Sequence, residues 1–281
     1  MANNLAERVT SQAAQTNGNG AAPAVPELTL TDKVRNMEKQ FQLAMPKGAE
    51  AQQLIRDALT CLRQTPKLQE CESNSVLGAL MTCAQLGLRP GVLGHAWVLP
   101  FWDRTANNKR GGFKAQLVIG YQGLVELAYR SGQIASVSAR TIFTNDVYQV
   151  EYGLEERLIH QPLIIGDRGE PLAYYAVVRL ANGGSTFIVI SHTDMLAYKQ
   201  KHATAKKDGV VFGPWRDNFE GMAHKTCLRQ LSKWMPKSTE LALAVENDGA
   251  VRVDLTPAAV TTPEHIEGEI VEESQPETVV A

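Results

Sequence analysis

The chain has 281 residues, 44% of them hydrophobic, with a formal net charge of −2; that is enough apolar material to bury the core of one large or two small domains. No stretch approaches the ~20 consecutive apolar residues of a membrane-spanning helix, and the polar, Ala/Asn/Gln/Gly-rich start lacks the apolar run of a signal peptide, so a cytoplasmic protein with no membrane partner is expected. Cys61, Cys71, Cys83 and Cys227 sit among apolar neighbours at spacings that fit no zinc pattern, and read as reduced core thiols.

Residues 1–27 read as a disordered segment. A helix is expected from Asp32 to Met45, where Val34, Met37, Phe41 and Met45 recur at three- and four-residue steps until Pro46 and Gly48 end it. A second runs from about Glu50 to Arg63, and a third from Ser73 or Ser75 to Leu86, closed by Gly87 and Pro90-Gly91. From His95 the period changes to two. Trp97, Leu99 and Phe101 alternate in one strand and Ala115, Leu117 and Ile119 in the next, which predicts a hairpin with Arg104, Lys109, Arg110 and Lys114 toward its tip.

The block QLVIGYQGLVELAYRSGQI, Gln116 to Ile134, then reads as strand, glycine turn, short helix from about Gln122 to Ser131, and strand. Further strands are expected at Ile134–Phe143, Val147–Tyr152, Leu172–Leu180 and Thr186–Ile190, the last two joined by the turn Asn182-Gly183-Gly184. A helix starts at Ser191, and Pro214 opens another from Trp215 to Met235.

Charge is distributed unevenly. Residues 246–281 hold nine carboxylates against Arg252, a net of −8, and read as an acidic, disordered tail. Residues 28–245 hold 26 Lys and Arg against 19 Asp and Glu, a net of +7, the sign of a surface that meets phosphates or simply of a basic solvated face.

In the Trp215–Met235 helix, Phe219, Ala223, Cys227, Leu231 and Trp234 make an apolar stripe, while Lys225, Arg229 and Lys233 fall at four-residue steps on the other side. Together with the hairpin cations and Lys199, Lys201, Lys206 and Lys207, they suit a groove that tracks a phosphate backbone. Tyr121 fits either the core or base stacking, and Arg130 either DNA or a local pair with Glu126. Arg140, a cation within a strand, is a further candidate.

Catalytic motifs are missing: no G-x-x-x-x-G-K-[ST] loop, G-x-S-x-G elbow, H-E-x-x-H or G-x-G-x-x-G occurs, and His95, His160, His192 and His224 are scattered. No catalytic residue, metal ligand or cofactor is expected. A nuclease and a purely structural oligomer are the competing function classes.

The strings CAQLGLRPG, LGHAWVLPF, QLVIGYQGLVELAYRSGQIASVSAR, GPW and EGMAHKTCLRQLSKWMP resemble the RecT family of phage and prophage recombinases, within the RecT/Redβ superfamily, over nearly all of residues 30–240. The resemblance implies an α+β fold, a small antiparallel sheet with a protruding β-hairpin packed against helices, with residues 28–245 as a DNA-binding and oligomerisation core. It also implies ATP-independent single-stranded DNA binding and annealing in homologous recombination, by an oligomeric ring or helical filament. Partners would be single-stranded DNA, the annealed duplex intermediate, further copies of the chain, a phage exonuclease and a host single-strand-binding protein. On this reading Lys109, Arg110, Lys114, Lys199, Lys225 and Arg229 line a backbone groove, with Tyr121, Arg130 and Arg140 as secondary candidates. His224 and Gln230 replace cations common in the family's pattern.

Overall fold

A computed structural model describes residues 28–104, 106, 110–203, 206, 207, 209–236, 238–252 and 255, with Lys206 and Lys207 described by their backbone alone. The expected segment 1–27 and Lys109 lie outside the described residues.

The first helix, α1 (Leu30–Asn36), is capped by Thr29, whose hydroxyl accepts the Asp32 N–H at 3.2 Å. The single helix expected to Met45 is interrupted at Met37 (φ −86°, ψ 6°), so its apolar series is divided between α1 and α2 (Glu38–Ala44), with Val34 and Phe41 fully buried. After α3 (Ala51–Gln64) comes α4 (Ser73–Leu86), which is buried almost all the way round and lies at the centre of the molecule. A helix apolar on every side has to be surrounded; α2, α3, β1 (Ala96–Asp103) and β2 (Gly112–Ile119) pack on it. Gly87 ends α4 in the left-handed conformation, φ +59°, a backbone state that glycine adopts without a Cβ clash.

The predicted hairpin is present: β1 and β2 pair antiparallel from Ala96↔Ile119 to Asp103↔Gly112. The glycine turn that follows has a packing reason. A Cβ on Gly120 would lie 1.8 Å from the Gly94 carbonyl oxygen and one on Gly123 2.2 Å from that of His95, so the start of α5 (Tyr121–Arg130) is pressed against the strand entry.

Three further strands form an antiparallel sheet in the order β3–β6–β7 (Ile134–Phe143, Pro171–Leu180, Ser185–Ser191). Between β3 and β6 the chain makes a separate two-stranded hairpin, β4 (Val147–Glu151) with β5 (Arg157–Gln161). The β5 strand was not anticipated, because its half-exposed alternation carries little apolar signal. Strand pairing gives the main sheet two distinct faces: Thr141 and Tyr174 share one, Arg140 and Tyr175 the other.

The next helix, α6 (His192–His202), has the expected Ser191 cap, whose hydroxyl accepts the Asp194 N–H at 3.0 Å. It is followed by the short strands β8 (Lys206–Lys207) and β9 (Val210–Val211). The predicted Trp215–Met235 helix is two: α7 (Pro214–Asp217) stops at Asn218 (φ −143°, ψ 63°), whose side chain accepts the Gly221 N–H and so caps α8 (Phe219–Leu231). With α8 ending at Leu231, Trp234 leaves the apolar stripe and is 78% exposed.

The expected boundary at 245/246 also moves. The last helix, α9 (Thr239–Asn247), is followed by a strand-like passage in which Ala250 bridges Leu117, and Asp248, Ala250, Val251 and Arg252 are all buried. The Arg252 carbonyl oxygen would be 2.0 Å from a Cβ at Gly78, so α4 and this passage touch backbone to backbone. Residues 246–252 therefore belong to the packed core, where Arg252 donates to Gln85 at 2.6 Å.

All four cysteines are free and buried. Burial pushes the thiols of Cys71 and Cys227 up to about 12 and raises those of Cys61 and Cys83 as well, which keeps them protonated. The architecture is α+β, with helices packed against small antiparallel sheets.

Candidate nucleic-acid interface

A cavity of about 460 Å³ opens between the β1–β2 hairpin, the Gly120-Tyr121-Gln122 turn and the α7–α8 junction. Strand alternation builds one wall. Ala96 and Val98 point into the core, so Trp97 and Leu99 face the cavity, and Trp97 keeps 45% of its surface exposed. The turn supplies Tyr121, 41% exposed, at the first position of α5. The opposite wall is one helical face, on which Asn218, Met222 and Lys225 follow one another at three- and four-residue steps. The space is mostly apolar and flanked by two exposed aromatic rings, and Lys225, its side chain 12% exposed, is part of its lining.

The cations predicted to line a groove have specific partners. Lys114 Nζ lies 2.8 Å from Asp103, whose side chain is buried within the same hairpin. Lys225 and Arg229, one helical turn apart on α8 as predicted, converge on the Asp248 carboxylate at 2.9 and 3.2 Å. That carboxylate also accepts the Ile119 N–H at 2.9 Å, so it ties α8 to the end of β2. Lys199 reaches the start of α8 instead, its ammonium 5.4 Å from the centre of the Phe219 ring.

Arg130 is a helix cap. Its guanidinium donates to the Leu86 carbonyl at 2.7 Å and the Gly87 carbonyl at 3.4 Å, satisfying the end of α4, and pairs with Glu126 at 3.2 Å. Arg110 is exposed near the hairpin tip. Arg140 is also exposed but stands on the Tyr175 face of the sheet, whereas α8 packs on the Thr141 face, where Thr141 bonds Glu220 and His224. Tyr121 and Lys225 thus meet at one cavity, Arg229 joins Lys225 through Asp248, and Arg140 belongs to another surface. Sequence reasoning missed Trp97 as a cavity residue, although strict alternation placed it opposite Val98. It also missed Asp248, which had been assigned to the acidic tail.

Comparison with known proteins decides the family. The model of the RecT family matches residues 52–261. The chain is also 38% identical over 249 residues to Protein RecT of Escherichia coli (strain K12), covering 87% of this chain and 89% of that protein.

The chain belongs to the RecT family. A second relative is an uncharacterized protein, YqaK, of Bacillus subtilis (strain 168), 29% identical over 229 residues, 78% of this chain and 71% of that one. Membership supports a function in DNA recombination and strand annealing, and proteins of the RecT family are annealing proteins rather than enzymes. Among the described residues no helix is long and apolar enough to cross a membrane.

Proposed function

We propose that this RecT-family chain binds single-stranded DNA and the annealed duplex intermediate, pairs complementary strands without ATP, and works as an oligomer. The observation that carries this reading is the cavity flanked by Trp97 and Tyr121 beside Lys225. Exposed rings hold a strand by the flat faces of its bases, without reading sequence. Arg110, exposed near the hairpin tip, and Arg229, 38% exposed, add cations elsewhere on the surface, and residues beyond Arg252, with seven carboxylates and no Lys or Arg, form an acidic segment suited to docking a partner exonuclease or single-strand-binding protein.

The test is fluorescence-reported pairing of two complementary oligonucleotides added in turn to the purified protein without ATP, with strand lengths checked on a denaturing gel. Fast pairing of intact strands is expected. Shortened strands on adding magnesium would establish a nuclease instead, and no binding at low salt would sink the reading altogether. Trp97→Ala is expected to weaken single-strand binding by roughly 1–3 kcal/mol with an unchanged salt slope, since stacking releases no counterions.

A further inference from the structure

The two faces of the main sheet are finished differently. The Thr141–Tyr174 face is closed by α8. On the other, strand register sets Ser136, Ser138 and Arg140 of β3 beside Arg179, Val177 and Tyr175 of β6. The β4–β5 hairpin covers part of this face. Leu158 packs against the Ile142, Ala173 and Tyr175 cluster, and the Tyr152 hydroxyl accepts the Val189 N–H of β7 at 3.0 Å. The rest stays open, with Ser136, Arg140 and Arg179 exposed.

Its charge is one-sided. The three strands contain Arg140 and Arg179 and no Asp or Glu. Neither guanidinium has a hydrogen bond or ion pair among the described residues, whereas Lys114, Lys225 and Arg229 each meet a carboxylate. The acidic groups of the elements packed nearby are engaged or lie apart. Asp146 is buried and held by Arg168, Glu126 pairs with Arg130, and Glu220 bonds Thr141 on the opposite face. Glu151, Glu155 and Glu156 belong to the hairpin end that Tyr152 fastens to β7, the strand farthest from β3.

An aromatic ring borders the same surface. Tyr129, 44% exposed, reaches from the last turn of α5 to the outer edge of β3, where its hydroxyl accepts the Val137 N–H at 3.2 Å. Arg179 is level with Ser136, four residues from Arg140, so the two cations stand roughly 13 Å apart along the strands. Each guanidinium presents parallel N–H donors that match phosphate oxygens, and serine hydroxyls donate to the same acceptors. At that spacing they meet different phosphates of one chain, while the ring offers a flat face to a base.

We infer that the Arg140–Arg179 face is a second nucleic-acid site, which grips the sugar–phosphate backbone of a single strand. It is distinct from the Trp97–Tyr121 cavity, because α8, which lines that cavity, packs on the other side of the sheet. The inference rests on the proposed function and extends it. A chain that holds one strand at the cavity gathers a further segment here, which raises the local concentration of complementary sequence before pairing.

The test is titration of the full chain with a labelled strand of one repeated base, which cannot anneal, about the 4–16 nucleotides that one binding module covers. The wild type is compared with Arg140→Ala plus Arg179→Ala and with Arg140→Lys plus Arg179→Lys, and circular dichroism checks the fold of each. The wild type is expected to take two strands per chain, the alanine variant one, and the lysine variant two, since lysine keeps the charge. The second site should lose about 1.4 units of salt slope with the two arginines, about 0.7 for each cation on single-stranded DNA. An alanine variant that binds two strands or none would overturn the inference and leave the cavity reading standing. So would one strand per chain in the wild type; if a second site then opens on ending the chain at Thr256, the face belongs to the chain's own acidic segment. A wild type that binds no strand at low salt would remove the proposed function as well.

Discussion

Asp248→Asn removes one charge from the point where three elements meet while preserving the side chain's shape. The native carboxylate is 4% exposed and accepts from Lys225, Arg229 and the Ile119 N–H. The asparagine carbonyl can keep the Ile119 bond, but the Lys225 ammonium, 12% exposed, is left facing a neutral amide. Removing one partner of a buried pair costs about 3–5 kcal/mol. Arg229 is 38% exposed and can turn to water, so its share is small, and a loss of about 2–3 kcal/mol is expected. For a chain of this size that lowers the thermal midpoint by roughly 4–12 °C. Urea unfolding of the wild type, Asp248→Asn, Arg229→Ala and the double variant measures both the loss and the coupling. A single variant as stable as the wild type, or additive effects in the double, would refute the clamp. The same geometry predicts that Arg229→Ala lowers the salt slope of DNA binding by less than the one unit expected of a cation that meets only phosphate.

Truncation should be sharply position-dependent. Ending the chain at Val245 removes the Asp248 clamp and the buried Ala250–Arg252 passage and is expected to abolish cooperative unfolding, whereas ending it at Thr256 leaves the unfolding free energy, measured in urea, within about 1 kcal/mol of the wild type. Gly123→Ala forces a Cβ toward the His95 carbonyl and should cost about 1–3 kcal/mol in urea unfolding; a neutral result would mean that the turn relaxes freely. Burial lowers the pKa of His224 despite the nearby Glu220 carboxylate, so the unfolded chain takes up the proton more readily than the folded one. Its contribution to stability is complete above the ordinary histidine value of about 6.5 and fades as pH falls through the folded pKa. Thermal midpoints between pH 7.5 and 5 should therefore drop more steeply for the wild type than for His224→Asn, and parallel curves would exclude this histidine as the cause.

Local patterns in the sequence determined most of the elements. The α4 and α5 helices, the β1–β2 hairpin and the three strands of the main sheet follow from apolar periodicity and glycine punctuation, both of which act over a few residues. The four-residue spacing of Lys225 and Arg229 likewise put them on one face of a helix. Only the tertiary structure decided what those cations meet, because Asp248 reaches Lys225 and Arg229 through chain packing that no local pattern encodes. For the same reason a composition count placed Asp248 in an acidic tail, while its burial beside Ile119 makes it part of the core. Arg140 and Thr141 are neighbours in sequence and stand on opposite faces of the sheet, a distinction fixed by strand pairing with β6. Periodicity tells which side of an element is apolar; which partner that side finds, and whether a charged residue meets a carboxylate or water, depends on contacts between residues far apart in the chain.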